Sequence, residues 1–269
     1  MIVLIFFVGG LIIGSFLNVL VYRLHAAQEL FLSRSRCPKC ESLIHWHDNI
    51  PVLSFILLKS RCRNCKEKIS WQYPLVEFFT GVVFAVVGAN FFSVSNPETW
   101  LTSGLYLAIS SCLIVIFVYD LLYMEIPAAV LWTAVFLAAG LNLWLDFSHI
   151  SSLGMLGSLG WNTLTGNLGA LLAFLFFFVL VVAGKEKWMG MGDAYLAILL
   201  GLFLGWPKII LAVFLAFAIG AIFGIILLAA KKRKLKSAVP FAPFLILGTF
   251  IAWFFYGPIV GWYLGFFGI

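Results

Sequence analysis

Two aspartates, Asp120 and Asp193, each adjoin a long apolar stretch of the sequence. A carboxylate at the edge of a hydrocarbon-embedded helix is costly, so it is rarely retained without a role or a partner. If both lie on the same side of a membrane, they can share one proton. The ionised member can then take a proton from water while the protonated member polarises a peptide carbonyl, which is the chemistry of an aspartyl protease. The alternative is that Asp193 caps the helix after it and Asp120 is an ordinary charge at a helix end.

The motif GMGD at residues 190–193 places two glycines just before Asp193. Because Gly190 and Gly192 lack a Cβ atom, they would let another backbone, such as a substrate strand, approach the aspartate closely. We therefore interpret both glycines as substrate-approach positions.

Four cysteines form two Cys-x2-Cys pairs, CPKC at 37–40 and CRNC at 62–65. Pairs with this spacing predict a tetrahedral Zn²⁺ site with Cys37, Cys40, Cys62 and Cys65 as ligands. The predicted role is structural, since a loop of this size needs a staple to hold a small core. Metal-free thiols, or two disulfides in an inverted topology, are the alternatives.

The composition is that of an integral membrane protein, with 63% hydrophobic residues, 10% charged residues and a mean hydropathy of +1.09. About twenty apolar residues cross a bilayer as a helix. The sequence predicts an all-α polytopic fold with about eight transmembrane helices, at 2–22, 74–92, 101–119, 128–147, 163–183, 194–206, 209–230 and 239–256. Residues 1–22 are expected to be a retained first helix, and the Gly- and Pro-containing tail after 256 an interfacial or re-entrant segment.

The basic residues predict the orientation, because Lys and Arg accumulate in cytoplasmic loops. With the N-terminus outside, all but Lys208 of the 17 Lys and Arg residues fall on the cytoplasmic side. Three regions follow: a first transmembrane helix at 1–22, a cytoplasmic four-cysteine zinc domain at 23–73, and a seven-helix membrane region at 74–269. The net charge of +6 is explained by topology, and nucleic acid is not expected as a partner.

Several motifs in order resemble the type IV prepilin leader peptidases, membrane aspartyl proteases of the GxGD class. They are GSFLNVLVYRL at 14–24, the paired cysteine motifs, NIPVLSFILLKSRCRNCKEKISWQYPLVE at 49–77, YDLLYMEIP at 119–127, GMGD at 190–193 and PFAP at 240–243. The resemblance covers nearly the whole chain. It implies that Asp120 and Asp193 are the catalytic pair.

The resemblance implies a multi-pass protein of the bacterial inner membrane, in pilus or type II secretion systems, that removes a short basic leader from prepilin or pseudopilin precursors at the cytoplasmic face. Glu125 and Glu186 are the acidic residues nearest the pair and would help to dock such a leader, or are solvated loop charges. Many family members also methylate the new N-terminus, so the resemblance alone implies S-adenosylmethionine as a further cofactor.

Three other interpretations fit part of the sequence. A presenilin-like intramembrane protease also carries YD and GxGD, but the four cysteines and PFAP distinguish this chain from it. A transporter with a zinc-bound loop would place ionisable groups near the midplane of broken helices, whereas here they gather at one edge. A non-catalytic assembly protein would use the basic loop to bind partners.

Overall fold

The computed structural model describes residues 1–26, 36–37, 39–153, 160–229 and 239–266. The basic positions Arg34 and 231–236, used above for orientation, lie outside these ranges. The described helices are α1 (Ile2–His25), α2 (Leu53–Leu57), α3 (Gln72–Phe91), α4 (Glu98–Tyr123), α5 (Ala128–Leu153), α6 (Trp161–Ala183), α7 (Met191–Leu204), α8 (Lys208–Ala229) and α9 (Ala242–Phe266). A 3₁₀ turn spans Trp46–Asn49, and the only extended pairing among the described residues is two isolated β-bridges.

Seven of these helices are long and apolar enough to cross a bilayer, and α7 is a shorter apolar helix. The predicted polytopic all-α architecture is therefore confirmed. The interpretation of the tail after residue 256 is wrong, because α9 continues without a break to Phe266 and contains Pro258. Proline is tolerated in apolar helices of membrane proteins, where neighbouring groups satisfy the freed carbonyl, so Gly and Pro did not end the helix here.

The chain divides into two compact units, Met1–Val118 and Tyr119–Ile269. In the first unit, α1 packs closely against α3. A Cβ atom added to Gly10 or Gly14 would lie 2.7 Å from the backbone of Gly81 or Glu77, respectively. Small residues permit this approach, which matters because lipid gives no hydrophobic drive for helix association.

The second unit packs α6 against α7 and α8 against α9, again through small residues. A Cβ atom on Gly201 would overlap the backbone of Ala170, and one on Gly248 would overlap the Ala212 carbonyl. Neither contact leaves room for a side chain, and the one at Gly201 holds α7, the helix that carries Asp193, against α6.

Two polar residues of α5 hold the ends of neighbouring helices. The buried Asp146 carboxylate accepts hydrogen bonds from the backbone and side chain of both Asn162 and Thr163, at 2.6 to 3.0 Å, and so caps the first turn of α6. Asn142 donates to the Leu202 carbonyl near the end of α7 at 2.9 Å. Both side chains therefore pair backbone groups that a helix terminus would otherwise leave without a partner.

Candidate active site and metal centre

Asp120 lies in the last turn of α4 and is only 6% exposed. The helix ends just beyond it, where Met124 takes a positive φ of 56° and donates its N–H to the Asp120 carbonyl at 2.9 Å. The carboxylate of Asp120 accepts a hydrogen bond from the backbone N–H of Ala242. Its Oδ2 atom is buried and has no hydrogen-bond partner among the described residues. A buried oxygen of this kind is costly unless substrate, water or a shared proton completes it.

The bond from Ala242 follows from the way α9 begins. The first N–H groups of a helix have no partner within the helix. In α9, Phe244 and Leu245 donate to the Phe241 carbonyl at 3.0 and 3.2 Å, and Pro243 has no N–H. The N–H of Ala242 is therefore the donor that this helix start leaves for Asp120.

Asp193 is the third residue of α7 and is half-buried. Its carboxylate accepts a hydrogen bond from the Gly190 backbone N–H, while its own N–H donates to the Gly190 carbonyl at 3.2 Å. Asp193 also interacts electrostatically with Asp120. The structure thus brings together the two aspartates that the sequence analysis paired.

The capping alternative is realised for Asp193, because the reciprocal bonds with Gly190 are those of an acidic residue in a helical first turn. Capping does not account for Asp120, which lies at the opposite, electronegative end of its helix and is buried. Two carboxylates that interact electrostatically at such a boundary cannot easily both ionise, so the pair can hold one proton and act as acid and base together.

The other predicted residues of this site occupy different surroundings. Gly190 lies in open space, where an added Cβ atom would meet nothing closer than 4.0 Å, whereas a Cβ atom on Gly192 would lie 3.2 Å from Ile126. Gly192 thus packs against the MEIP segment that follows α4. Glu125 and Glu186 are both exposed in the second unit.

Asp146 is separated from the aspartate pair by the length of α6. It binds the first residues of that helix, whereas Asp193 follows the last one. At 1.5 Å per residue, α6 is about 34 Å long.

The four cysteines converge on one point in the first unit. The Sγ atoms of Cys37, Cys40, Cys62 and Cys65 all lie within 4.8 Å of one another, and those of Cys37 and Cys65 are 3.9 Å apart. Four thiolates around a tetrahedral zinc, with Zn–S bonds of about 2.3 Å, would be separated by about 3.8 Å. The cysteine cluster therefore fits a single metal ion, as their spacing predicts.

The two cysteine pairs have the same backbone geometry. In each, the first cysteine donates its N–H to the residue five positions on and accepts the N–H of the residue four positions on. The partners are Ser42 and Glu41 for Cys37, at 3.0 and 2.9 Å, and Glu67 and Lys66 for Cys62, at 2.8 and 3.1 Å. Two equivalent turns thus present their thiols to one centre.

An ion pair ties the 3₁₀ turn to the second cysteine motif. Arg63, which lies between Cys62 and Cys65, donates two hydrogen bonds to the Asp48 carboxylate at 2.8 and 2.6 Å. The Arg63 guanidinium holds the pKa of that carboxyl below its usual value. This bidentate contact braces the metal-binding loop, which comprises the described residues between α1 and α3.

Sequence reasoning missed the part that Ala242 plays in the site. The motif PFAP entered only through the resemblance, although a proline near the start of an apolar run is a signal for a helix N-terminus. That signal predicts a free N–H but not its acceptor, because Asp120 is distant along the chain. Only the packing of the helices supplies the pairing.

Two family models match separate parts of the chain. The family model described as Bacterial Peptidase A24 N-terminal domain matches residues 8–91, and that of the Type IV leader peptidase family matches residues 107–225. A prepilin leader peptidase/N-methyltransferase of Stutzerimonas stutzeri is 32% identical, over 96% of this chain and 92% of the relative. No solved structure matches the chain.

Two further relatives are similar over most of their length. The prepilin leader peptidase/N-methyltransferase of Aeromonas salmonicida strain A449 is 32% identical over 96% of this chain and 92% of its own. The type 4 prepilin-like proteins leader peptide-processing enzyme of Escherichia coli O78:H11 is 33% identical over 90% of this chain and 89% of its own. The resemblance seen in the motifs is thereby confirmed, and the chain belongs to the type IV prepilin leader peptidase family.

Proposed function

We propose that this protein is a membrane aspartyl endopeptidase that removes the leader from type IV prepilin-like precursors, with Asp120 and Asp193 as its catalytic pair. The observation that carries the proposal is the electrostatic interaction of the two carboxylates at the ends of apolar helices, with Asp120 buried and one of its oxygens unpartnered among the described residues. The names of the relatives supply the substrate class.

The chemistry requires only water and the two carboxylates. The ionised carboxylate takes a proton from water as the water oxygen bonds to the peptide carbonyl carbon, and the protonated carboxyl donates its proton to the carbonyl oxygen. When the C–N bond breaks, the carboxyl that took the water proton gives it to the leaving amine, while the other carboxylate takes a proton from one hydroxyl of the intermediate as the product C=O forms. The Ala242 N–H holds Asp120 in place for these transfers, and the pair titrates as one unit.

The basic residues support a cytoplasmic location for the catalytic pair and for the metal-binding loop, in the inner membrane of a bacterium. We assign zinc to the four cysteines, because the loop would then lie in a reducing compartment where thiolates are retained.

Glu125 and Glu186, both exposed, would attract the basic leader to this face. The open space at Gly190 is where a substrate backbone would approach.

N-methylation of the new N-terminus is a second proposed activity, favoured by the names of the relatives that align over nearly the whole chain. S-adenosylmethionine would supply the methyl group. Binding of this cofactor to the purified protein, measured by calorimetry, would support the activity, and absence of transfer to a cleaved peptide would contradict it.

Cleavage of a prepilin-derived peptide by the purified protein tests the peptidase proposal. Asparagine keeps the size of aspartate but cannot exchange the proton, so Asp120→Asn and Asp193→Asn should each abolish cleavage. The double variant should be no worse than either single one, because residues that act as a unit lose nearly everything at the first substitution. Substantial cleavage by either folded variant would refute the catalytic pair.

Asp146→Asn is the matched comparison, and its expected effect is on stability. An amide cannot accept hydrogen bonds at both of its ends, so part of the cap on α6 is lost, at about 1 to 3 kcal/mol. The thermal midpoint should fall while the folded fraction still cleaves. The catalytic-pair variants should show the reverse, with an unchanged midpoint and no cleavage.

A further inference from the structure

The short helix α2 leaves an apolar face uncovered within the first unit. Leu53, Ile56 and Leu57 are 50%, 64% and 71% exposed, whereas Phe55 is buried and packs edge-on against Trp71, with ring centroids 4.9 Å apart. Two exposed cations, Lys59 and Arg61, follow directly. One side of α2 is thus held by protein and the other is apolar and bordered by positive charge.

A buried carboxylate fixes how deep α2 lies along the membrane helices. Glu77 of α3 accepts a hydrogen bond from the N–H of Val52, the residue before α2, at 2.7 Å, and another from the Ser15 side chain of α1. Glu77 is five residues into α3, and Ser15 is eight residues before Arg23, the first charged residue of α1. At 1.5 Å per residue these positions are about 8 and 12 Å inside the ends of the apolar segments.

The backbone of Val52 is strained where α2 attaches to α3. Val52 has a φ of 60°, which is a true outlier for a β-branched residue and costs about 1 to 3 kcal/mol. The bond to Glu77 helps to hold the chain in this conformation. From Val52, beside Glu77, the helix runs to Phe55, beside Trp71 at the start of α3, so it lies along the outermost turns of that helix.

We infer that α2 is a membrane anchor of the metal-binding loop, and that acyl chains of one leaflet cover Leu53, Ile56 and Leu57. The depth set by Glu77 matches that of interfacial helices, whose apolar side lies about 5 to 10 Å into the boundary between headgroups and acyl chains. Lys59 and Arg61 follow at the surface, where anionic headgroups attract them. The leaflet is the one at which α1 ends and α3 begins.

Photo-crosslinking in nanodiscs that contain phosphatidylglycerol tests this inference. The photoreactive residue p-benzoylphenylalanine replaces Leu57 in one variant and Leu43 in another. Leu43 is the matched control, because it is a 47% exposed leucine of the same loop but lies just after the first cysteine motif, where it forms a β-bridge with Arg36. We expect at least about fivefold more lipid adduct at position 57 than at position 43, since only the former would lie among acyl chains.

Equal lipid adducts at the two positions, or none at position 57, would overturn the inference. So would an adduct at position 57 that forms with an added pilin precursor in place of lipid, which would make this face a substrate groove. Hydroxyl-radical footprinting of the unmodified protein provides a measurement that needs no substitution. Leu53, Ile56 and Leu57 should be protected in nanodiscs while Leu43 is oxidised, and oxidation of all four would contradict the anchor.

Discussion

Ala242 contributes to the proposed active site through its backbone, so its N–H and not its side chain should matter for cleavage. Ala242→Pro removes that donor and little else, because proline is tolerated in the first turn of a helix. A hydrogen bond to a charged group contributes about 1.5 to 3 kcal/mol. We therefore expect kcat for peptide cleavage to fall by about 10- to 100-fold in Ala242→Pro.

Ala242→Ser is the control for this prediction, since serine retains the N–H and is also small. Its kcat should stay near that of the unmodified protein. The thermal midpoints of both variants identify any loss that comes from folding, because Ala242 is fully buried. Equal kcat values for the proline and serine variants, with both folded, would show that the Ala242 N–H does not contribute to cleavage.

Glu125 and Glu186 are predicted to act on substrate binding and not on the bond-breaking step. Both are exposed, so their attraction to a basic leader would be screened by salt over about 10 Å at 0.1 M. Glu125→Gln and Glu186→Gln should raise KM at low ionic strength, leave kcat unchanged, and converge on the unmodified protein at high salt. Identical KM values throughout a salt series would mark both as solvated loop charges.

At the residue scale, sequence patterns identified residues whose type is itself informative. Cysteines at metal-binding spacing and aspartates at the edges of apolar segments stand out because few other roles explain them. No comparable pattern predicts the Ala242 N–H as a donor, the Ile126 contact with Gly192 or the Val52 bond to Glu77. These depend on atoms that every residue has, or on partners brought together by helix packing.

The metal-binding loop is the element whose stability should depend most on a ligand. Among its described residues, no strand or long helix supports the cysteine turns, so zinc should supply much of the folding free energy of this loop. Elemental analysis should find about one zinc per chain. Cys37→Ser should lose the metal and expose residues 36–68 to limited proteolysis, while the membrane helices stay inserted.

Cys112→Ser is the matched control for the metal prediction. Cys112 lies in α4, outside the cysteine cluster, and is partly buried. This variant should retain zinc and resist proteolysis as the unmodified protein does. Absence of zinc from the unmodified protein, or a thiol titration that reports two disulfides, would contradict the metal site.

The helices themselves were largely predictable, since apolar runs of spanning length have few alternatives. The ends of the helices were less predictable, because several helices in the structure continue beyond the apolar residues. The predicted segment 101–119 is the helix Glu98–Tyr123, which places Asp120 inside a helical turn and not after it. The predicted segment 239–256 extends to Phe266, because neither Gly257 nor Pro258 breaks a helix in apolar surroundings.

For the whole molecule, the family matches follow its division into units. The N-terminal family model lies within the first unit, which holds α1, α3 and the cysteine cluster. The leader peptidase model covers both aspartates, which belong to the second unit. The proposed metal-binding and proteolytic roles would therefore reside in different parts of the chain.

The shortness of α7 gives the enzyme a dependence on the thickness of its membrane. Its 14 residues span about 21 Å, whereas the hydrocarbon core is about 30 Å thick. If Trp206 and Lys208 anchor the far end of α7 at one surface, the turn that holds Asp193 would stop about 9 Å short of the other. Lipids with longer acyl chains would bury the aspartates further from water. Cleavage in vesicles should therefore slow as acyl chains lengthen from 14 to about 22 carbons, and a rate independent of chain length would mean that the protein thins the bilayer around itself.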